Sequence, residues 1–259
     1  MADIKTSRFV LVGEKHDNPH HHQLELKLLQ DIQNGSNTRV VLEMLDEQQG
    51  SNIDKLTGNS KEELIKNLLN WNDRNWPWKD YGPLINSTLA NGNLLKPGNL
   101  SKPVLMQIYK NAPPNEPRLS TVEALPENIQ AEILQQVYES HCQAIPLKQM
   151  GPMAQIQISR DASMAFAMSH QLASNDQAIL FSGAFHVRKD SGVPLHLNML
   201  SSEKSISIML TEVDKGGETG KESTKADREV ADYIWFTPRS EEKDYCASLR
   251  QQSSHKKIN

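Results

Sequence analysis

The stretches Phe9-Val-Leu-Val-Gly13-Glu-Lys-His16 and Ala178-Ile-Leu-Phe-Ser-Gly183-Ala-Phe-His186 repeat one pattern, an apolar run that ends in Gly-x-x-His. Short apolar runs of this kind are typical of buried strands. Glycine permits a sharp turn and a close backbone approach, so the histidine that follows can lie across the carboxyl edge of a sheet. If the two strands are parallel neighbours, both imidazoles face one crevice, which is where open α/β sheets bind ligands.

The residues after the first run predict a strand-helix-strand unit. Asn18 can cap a helix, Pro19 fits its first turn, and apolar residues recur at helical spacing until Asn34-Gly35, which predicts its end. Residues 39–43 predict a second buried strand. Because crossovers between strands of one sheet are right-handed, we expect these first two strands to be parallel.

The remaining chain extends this pattern. We predict further strands at 104–108, 178–182, 205–211 and 233–236, and helices at 126–142 and 152–172. Trp71, Trp76, Trp78 and Tyr81 lie close together in a polar region, where they form either the core of a small helical lobe or an aromatic wall for a flat ligand. A Gly-, Lys- and Glu-rich stretch at 214–228 predicts a loop.

The predicted fold class is α/β, a mostly parallel open sheet flanked by helices with a smaller inserted helical lobe. We assign 1–44, 103–111 and 149–240 to the α/β domain, 45–102 and 112–148 to the lobe, and 241–259 to a disordered tail.

Composition excludes several classes of protein. The 259 residues carry a net charge of -4 with no basic stripe, so nucleic acid is not an expected partner. No apolar run approaches the roughly 20 residues of a membrane helix, and the first residues lack a signal-peptide core. Two distant cysteines, Cys142 and Cys246, indicate neither a disulfide scaffold nor a zinc ribbon, and whether they pair with each other stays open.

Four side chains follow predicted strand ends, namely Glu14, His16, Glu43 and His186. Two imidazoles with carboxylates suit a divalent metal such as zinc, manganese or iron, with His16, Glu43 and His186 as ligands. Alternatively, Glu43 caps a helix or forms a salt bridge, and His16 is a hydrogen-bonded core residue. The motifs of zincins, nucleotide-binding loops and α/β-hydrolases are absent from the sequence.

Three polar residues lie on the predicted 152–172 helix, Gln157, Arg160 and Asp161. They break an otherwise apolar stripe, so they line a pocket or belong to a solvated edge of the helix.

Several motifs spread over nearly the whole chain resemble the ChaN-like haem-binding family. They are Gly13-Glu-Lys-His-Asp-Asn-Pro19 with His21-His22, Leu42-Glu43, Trp78-Lys-Asp-Tyr81-Gly-Pro83, His141-Cys142, Gln157-Ile-Ser-Arg160-Asp161, Gly183-Ala-Phe-His186-Val-Arg188, Gly192-Val-Pro194 and Ala231-Asp-Tyr-Ile-Trp-Phe-Thr237. Through the paired Gly-x-x-His signals the chain is also similar to the wider Tiki, TraB and erythromycin-esterase superfamily.

This resemblance implies haem as the cofactor and a role in bacterial iron acquisition. It also implies a location at the periplasm or the outer membrane, where members of the family are often lipid-anchored. It implies a homodimer around stacked haems, a tyrosine on each iron, and propionates held by histidine and lysine. A phenolate ligand suits ferric haem. Tyr81 is the first candidate, with Tyr109 and Tyr138 as alternatives. The candidates for propionate contacts are His21, His22, Lys15 and Arg188.

Two departures from the family pattern are visible. Glu25 stands where members usually have glutamine, and the chain begins close to Phe9 without the usual lipoprotein signal, so it is expected to be truncated, trimmed or free of an anchor. Three hypotheses follow. The first is a haem-binding protein without a reaction of its own; the alternative is an esterase- or protease-like metal-dependent hydrolase with Glu14 as general base; the third is a scaffold whose ancestral site is empty.

Overall fold

The computed structural model describes residues 2–32, 38–213, 229–241, 244 and 246–247. The predicted helix stop at 34–35, the predicted loop at 214–228 and nearly all of the predicted disordered tail lie outside the described residues.

One sheet of six strands organises the described chain. The strands are β1 (Phe9–Glu14), β2 (Thr38–Asp46), β3 (Leu94–Asn99), β4 (Gln177–Gly183), β5 (Ser205–Val213) and β6 (Tyr233–Pro238). Their order is β3-β2-β4-β1-β5-β6, and every neighbouring pair is parallel. The predicted α/β class with a mostly parallel open sheet is therefore confirmed.

The two Gly-x-x-His strands are parallel neighbours, which is the condition under which both histidines face one crevice. In the β1–β4 register Gly13 lies beside Ser182 and Glu14 lies beside Gly183, so both strands end at the same level. β1 and β2 are parallel as expected, but β4 lies between them. All six residues of β1 are buried, which agrees with a central strand covered on both faces.

Nine helices accompany the sheet in the described residues. They are α1 (Ala2–Thr6), α2 (Pro19–Ile32), α3 (Gly50–Ile53), α4 (Glu62–Leu68), α5 (Trp78–Ala90), α6 (Lys102–Lys110), α7 (Glu127–Ser140), α8 (Gly151–Ser169) and α9 (Val193–Leu200). Short 3-10 turns occur at Glu47–Gln49, Pro117–Leu119, Leu147–Gln149 and Ala184–Val187.

Alternate strand residues feed two separate cores. Val10 and Val12 pack with α2 and α5 on one face, whereas Phe9 and Leu11 pack with α8 and α9 on the other. This alternation is the period-2 geometry of a strand that is buried on both sides. A third apolar cluster joins α6, α7 and α8 away from the sheet.

The strand predicted at 104–108 is wrong, because these residues form the middle of α6. Pro103 fits the first turn of that helix, and Ile108 is buried in the third apolar cluster. The missed strand is β3, which includes Pro97 and Gly98 and lies at the edge of the sheet, where such residues are tolerated. Part of the range 45–102 thus belongs to the sheet, and the remaining domain division stays a prediction.

Cys142 and Cys246 form a disulfide with a Cα–Cα distance of 5.5 Å. The bond joins the end of α7 to the chain after β6, across a sequence separation of 104. The sequence left open whether these two cysteines pair, and the structure shows that they do. Among the described residues, no helix has the length and apolarity needed to cross a bilayer.

Candidate functional site

The carboxyl ends of β1, β2 and β4 bring Glu14, His16, Glu43 and His186 to one edge of the sheet, as predicted. The glycines before the histidines are needed for close packing. A Cβ at Gly13 would lie 2.8 Å from the Cα of the residue after Gly183, and a Cβ at Gly183 would lie 3.0 Å from His16 Nε2. The first distance is shorter than real Cβ atoms show, and the second is tighter than most real Cβ contacts, so a side chain at either position would require a shift.

Glu43 anchors the centre of this edge. Its Oε2 accepts a hydrogen bond of 2.8 Å from the Gly183 amide and lies 3.8 Å from His16 Nε2, while its Oε1 lies 3.4 Å from His186 Nε2. Burial opposes ionisation, but the neighbouring imidazoles hold the pKa of Glu43 well below its usual range. Glu43 is therefore a buried carboxylate.

His186 lies between two carboxylates. Its Nδ1 is 2.5 Å from Asp161 Oδ1, and the Gln157 amide nitrogen is 3.2 Å from the same ring nitrogen. Burial disfavours the imidazolium, but Glu43 and Asp161 raise the pKa of His186 to about 10. Burial raises the pKa of Asp161 to about 6. His186 is a charged group that these two carboxylates hold in place.

A second cluster extends from Glu14 away from His186. Tyr81 donates its hydroxyl to Glu14 Oε1 at 2.8 Å, and His16 Nδ1 is 2.8 Å from the same oxygen. His22 Nδ1 is 3.0 Å from Glu14 Oε2 and 3.3 Å from Glu25 Oε2. His22 Nε2 faces the backbone carbonyl oxygen of His16 at 3.2 Å.

These contacts set the charges of the second cluster. Burial opposes charge on Glu14, yet hydrogen bonds from His16 and His22 lower its pKa. Burial also opposes charge on His22, but Glu14 and Glu25 raise its pKa to about 10. Burial and the nearby Glu14 raise the pKa of Glu25 to about 8, and the same two causes hold Tyr81 neutral.

Tyr81, the first candidate for an iron ligand, belongs to the core in this structure. Its exposed fraction is 1%, its hydroxyl is used by Glu14, and its ring makes edge contacts with Trp76 at 5.6 Å and His22 at 4.8 Å. Of the two interpretations of the aromatic group, packing as a core agrees with these contacts. Among the alternatives, Tyr109 is 48% exposed and Tyr138 is partly buried.

The predicted propionate contacts differ in accessibility. His21 is fully buried, accepts a hydrogen bond from the Lys15 amide at 2.8 Å, and has its other ring nitrogen 2.8 Å from Thr237 Oγ1. Burial lowers the pKa of His21 to about 4, so it is a neutral structural group. Lys15 and Arg188 are partly exposed, and each forms an ion pair within the chain. His22 belongs to the buried cluster with Glu14.

The predicted metal ligands do not form the closest donor set. One ring nitrogen of each histidine faces the crevice. These are Nε2 of His16 and Nε2 of His186, and each forms an ion pair with Glu43. Within the described residues, the group whose ligand atoms lie within 4.8 Å of one another is Glu14, His22 and Glu25. Sequence reasoning missed this set, although His22 and Glu25 are three residues apart on α2 and therefore share a helix face.

A groove opens beside His186, between α7, α8 and the turn after β4. It has a volume of about 260 Å³, with Val137, His141, Met153, Ile156, Gln157, Arg160 and Phe185 among its lining residues. Phe185 is 50% exposed, and the Arg160 Nε is buried with no hydrogen-bond partner among the described residues. His141 directs Nδ1 to the Val137 carbonyl at 2.7 Å, which leaves Nε2 as its lone-pair nitrogen. Thus Gln157 and Arg160 line this groove.

Comparisons with known proteins agree with this architecture. Residues 1–197 match the family described as haem-binding uptake, Tiki superfamily, ChaN. A structure of Campylobacter jejuni ChaN, described by its cofacial haem binding, is similar with a TM-score of 0.73 and 25% identity, over 90% of this chain and 88% of that chain. The type III effector HopBA1 shares the fold with a TM-score of 0.52 and 12% identity, over 92% and 91% of the two chains. No match was found among curated proteins.

Proposed function

Because the chain belongs to the ChaN family of haem-binding uptake proteins in the Tiki superfamily, we propose that it binds haem for a bacterial iron-acquisition system, as a homodimer that encloses the ligand. The family match over residues 1–197 is the observation that carries this proposal. The similarity to Campylobacter jejuni ChaN over 90% of the chain supports it.

The groove between α7 and α8 is our proposed haem-binding surface. Its apolar side chains, with the half-exposed Phe185, suit the face of a macrocycle. Arg160 reaches this groove with a buried and unpartnered Nε, so a propionate would satisfy it through a charge-assisted hydrogen bond. The residues present therefore fit a flat ligand with an anionic edge.

A second copy of the chain would complete this surface. The groove volume of about 260 Å³ falls below the roughly 300–1,000 Å³ of ordinary small-molecule pockets. One chain therefore covers only part of a haem. Exposed Tyr109 and Met106 on α6 are further apolar surface that a partner or haem would cover.

The iron ligand that we propose is Tyr109, which does not line the groove of its own chain and would reach the iron from the second copy, with Tyr138 and His141 as the competing groups. Tyr109 presents an exposed side chain, whereas Tyr81 is buried with its hydroxyl on Glu14. Phenolate is an established ligand of haem iron in proteins. His141 competes because its backbone hydrogen bond orients a free Nε2, as in many metal-ligating histidines.

A ferric haem titration tests this function. We expect a saturable tyrosinate-type absorption spectrum, lost in Tyr109→Phe and retained in Tyr138→Phe and Tyr81→Phe. Light scattering should show a dimer when haem is added. Arg160→Gln should weaken haem binding about tenfold through loss of one charged contact, whereas the exposed Arg74→Gln should not. Absence of any saturable haem spectrum would overturn the proposal.

We also propose a location in the periplasm or at the outer membrane. The Cys142–Cys246 disulfide supports it, because structural disulfides persist mainly in oxidising compartments. Cell fractionation with thiol labelling tests it, and a cytosolic protein with two reduced cysteines would contradict it.

A second candidate function, a hydrolase, is favoured by the environment of His16. Its side chain is 40% exposed and its Nδ1 contacts the ionised Glu14, an arrangement that suits a general base. The test is hydrolysis of a chromogenic ester with and without added zinc. Activity that is lost in His16→Ala, in protein without saturable haem binding, would replace the haem proposal.

A further inference from the structure

We propose that Glu14, His22 and Glu25 form a buried binding site for a divalent transition-metal ion such as zinc. This set is distinct from the haem groove and from the histidines that pair with Glu43. Each of the three residues offers one ligand atom, and these atoms lie within 4.8 Å of one another.

The spacing of the donors suits zinc. His22 Nδ1 is 3.0 Å from Glu14 Oε2 and 3.3 Å from Glu25 Oε2. Zinc binds nitrogen and oxygen ligands at about 2.0–2.2 Å in tetrahedral geometry, which separates neighbouring donors by about 3.4 Å. The two distances from His22 are close to this value, and the whole set, already within 4.8 Å, would close around the ion.

The orientation of His22 is that of a metal ligand. Its Nε2 faces the backbone carbonyl oxygen of His16 at 3.2 Å and donates its hydrogen there. Metal-ligating histidines usually donate the second ring N–H in this way, which fixes the tautomer. Nδ1 then faces Glu14 and Glu25, and a metal ion at that point would take the place of the proton that the imidazolium holds there.

A buried oxygen points to the same ligand. Glu25 Oε1 has no hydrogen-bond partner among the described residues, although Glu25 is only 1% exposed, and Glu14 Oε2 has only the His22 ion pair at 3.0 Å. Buried polar atoms are nearly always paired, so the orphaned Glu25 oxygen calls for a missing partner. A divalent ion would neutralise both carboxylates, and Glu25 could supply both oxygens to complete four donors.

The fold holds these groups on rigid elements. Glu14 ends β1, while His22 and Glu25 lie three residues apart on α2. Tyr81 fixes the other Glu14 oxygen at 2.8 Å, as hydrogen bonds commonly do for ligating carboxylates. A bound ion would join α2 to β1, so metal binding should stabilise the folded chain.

The test uses the whole protein without haem. After dialysis against a chelator, the protein is incubated with zinc, and metal content and affinity are measured by elemental analysis and competition with a chromophoric chelator. We expect one equivalent of zinc, a rise in melting temperature, and only nitrogen and oxygen ligands in X-ray absorption. Glu25→Gln should lower zinc affinity at least 100-fold and abolish the rise in melting temperature.

Controls separate this site from others. His196→Gln changes a buried histidine that bonds Thr121, and it should retain zinc binding. Glu43→Gln should also retain it. Glu25→Gln replaces one carboxyl oxygen by an amide group of nearly the same size, so the variant should fold, and circular dichroism verifies this. The proposal is overturned if the native protein binds no zinc, or if zinc is lost in Glu43→Gln but kept in Glu25→Gln.

Discussion

Replacement of Tyr81 by phenylalanine separates a structural role from iron ligation. The change removes the hydroxyl that donates to the buried Glu14 at 2.8 Å and leaves the ring in its apolar contacts. A hydrogen bond to a charged group is worth about 1.5–3 kcal/mol. We therefore expect Tyr81→Phe to lower the free energy of unfolding by about 2 kcal/mol, equivalent to roughly 4–8 °C in melting temperature for a chain of this size.

This loss should depend on pH. His16 and His22 hold the pKa of Glu14 below its ordinary value of 4.5 against the effect of burial. A lowered pKa means that the stabilisation is present above about pH 4.5 and is lost as the pH falls. The difference between the native protein and Tyr81→Phe should therefore be full at pH 7 and shrink in acid.

Urea unfolding followed by circular dichroism at pH 7 and pH 4 measures this difference, and a ferric haem titration is run on the same samples. Tyr109→Phe is the matched control, because its side chain is about half exposed and its loss should not affect stability. Unchanged stability together with a lost tyrosinate spectrum in Tyr81→Phe would refute the reasoning and make Tyr81 the iron ligand.

Three further perturbations test the site and the fold. His186→Gln removes the ion-pair partner of the buried Asp161 and one of the two histidines that face Glu43, so it should lower the free energy of unfolding by about 3–5 kcal/mol. Because the pKa of His186 is raised to about 10 from 6.5, its stabilisation is full below pH 6.5 and is lost toward pH 10, which urea unfolding across that range can measure. Gly13→Ala brings a Cβ into a clash with the Val187 side chain and should lower the free energy of unfolding by about 1–3 kcal/mol, measured by thermal unfolding. Gly151→Ala is the matched control, because its Cβ meets nothing within 4 Å. Replacement of both Cys142 and Cys246 by alanine should lower the free energy of unfolding by about 2–4 kcal/mol, with no further effect of reductant.

The sheet edge was predictable because its signals are local. The runs before Gly13 and Gly183 are apolar enough to indicate central strands, and parallel strands end at a common edge. β3 was not predictable in the same way, since Pro97 and Gly98 disfavour a strand and only its edge position makes them tolerable. The run at 104–108 has a strand-like composition, but contacts with distant helices make it helical.

The environment of a polar residue is harder to predict than its position. Tyr81 lies in a motif that suits either a ligand wall or a core, and only the packing of Trp76 and His22 around its ring shows that it is buried. The cluster with Glu25 gave a weaker signal in the sequence, because i,i+3 spacing shows that two side chains share a helix face but not whether that face is buried. What distinguishes this pair is that α2 packs directly behind the Glu14 strand end, a tertiary fact.

Opposite charges adjoin one another along the site, and this explains how so many ionisable groups are buried together. From the groove between α7 and α8 to the buried cluster, the order is Asp161, His186, Glu43, His16, Glu14, His22 and Glu25. Each histidine of this row contacts one carboxylate on either side, in addition to its backbone and aromatic contacts. Removing one member takes an ion-pair partner away from each of its neighbours. Paired substitutions at adjacent positions should therefore lower the free energy of unfolding by less than the sum of the two single changes. Glu25 differs from the other carboxylates of this row, because its Oε1 is buried without a hydrogen-bond partner among the described residues. Both oxygens of Glu43 have partners in His186, His16 and the Gly183 amide, so the end of the row at Glu25 is the place to look for a metal ion.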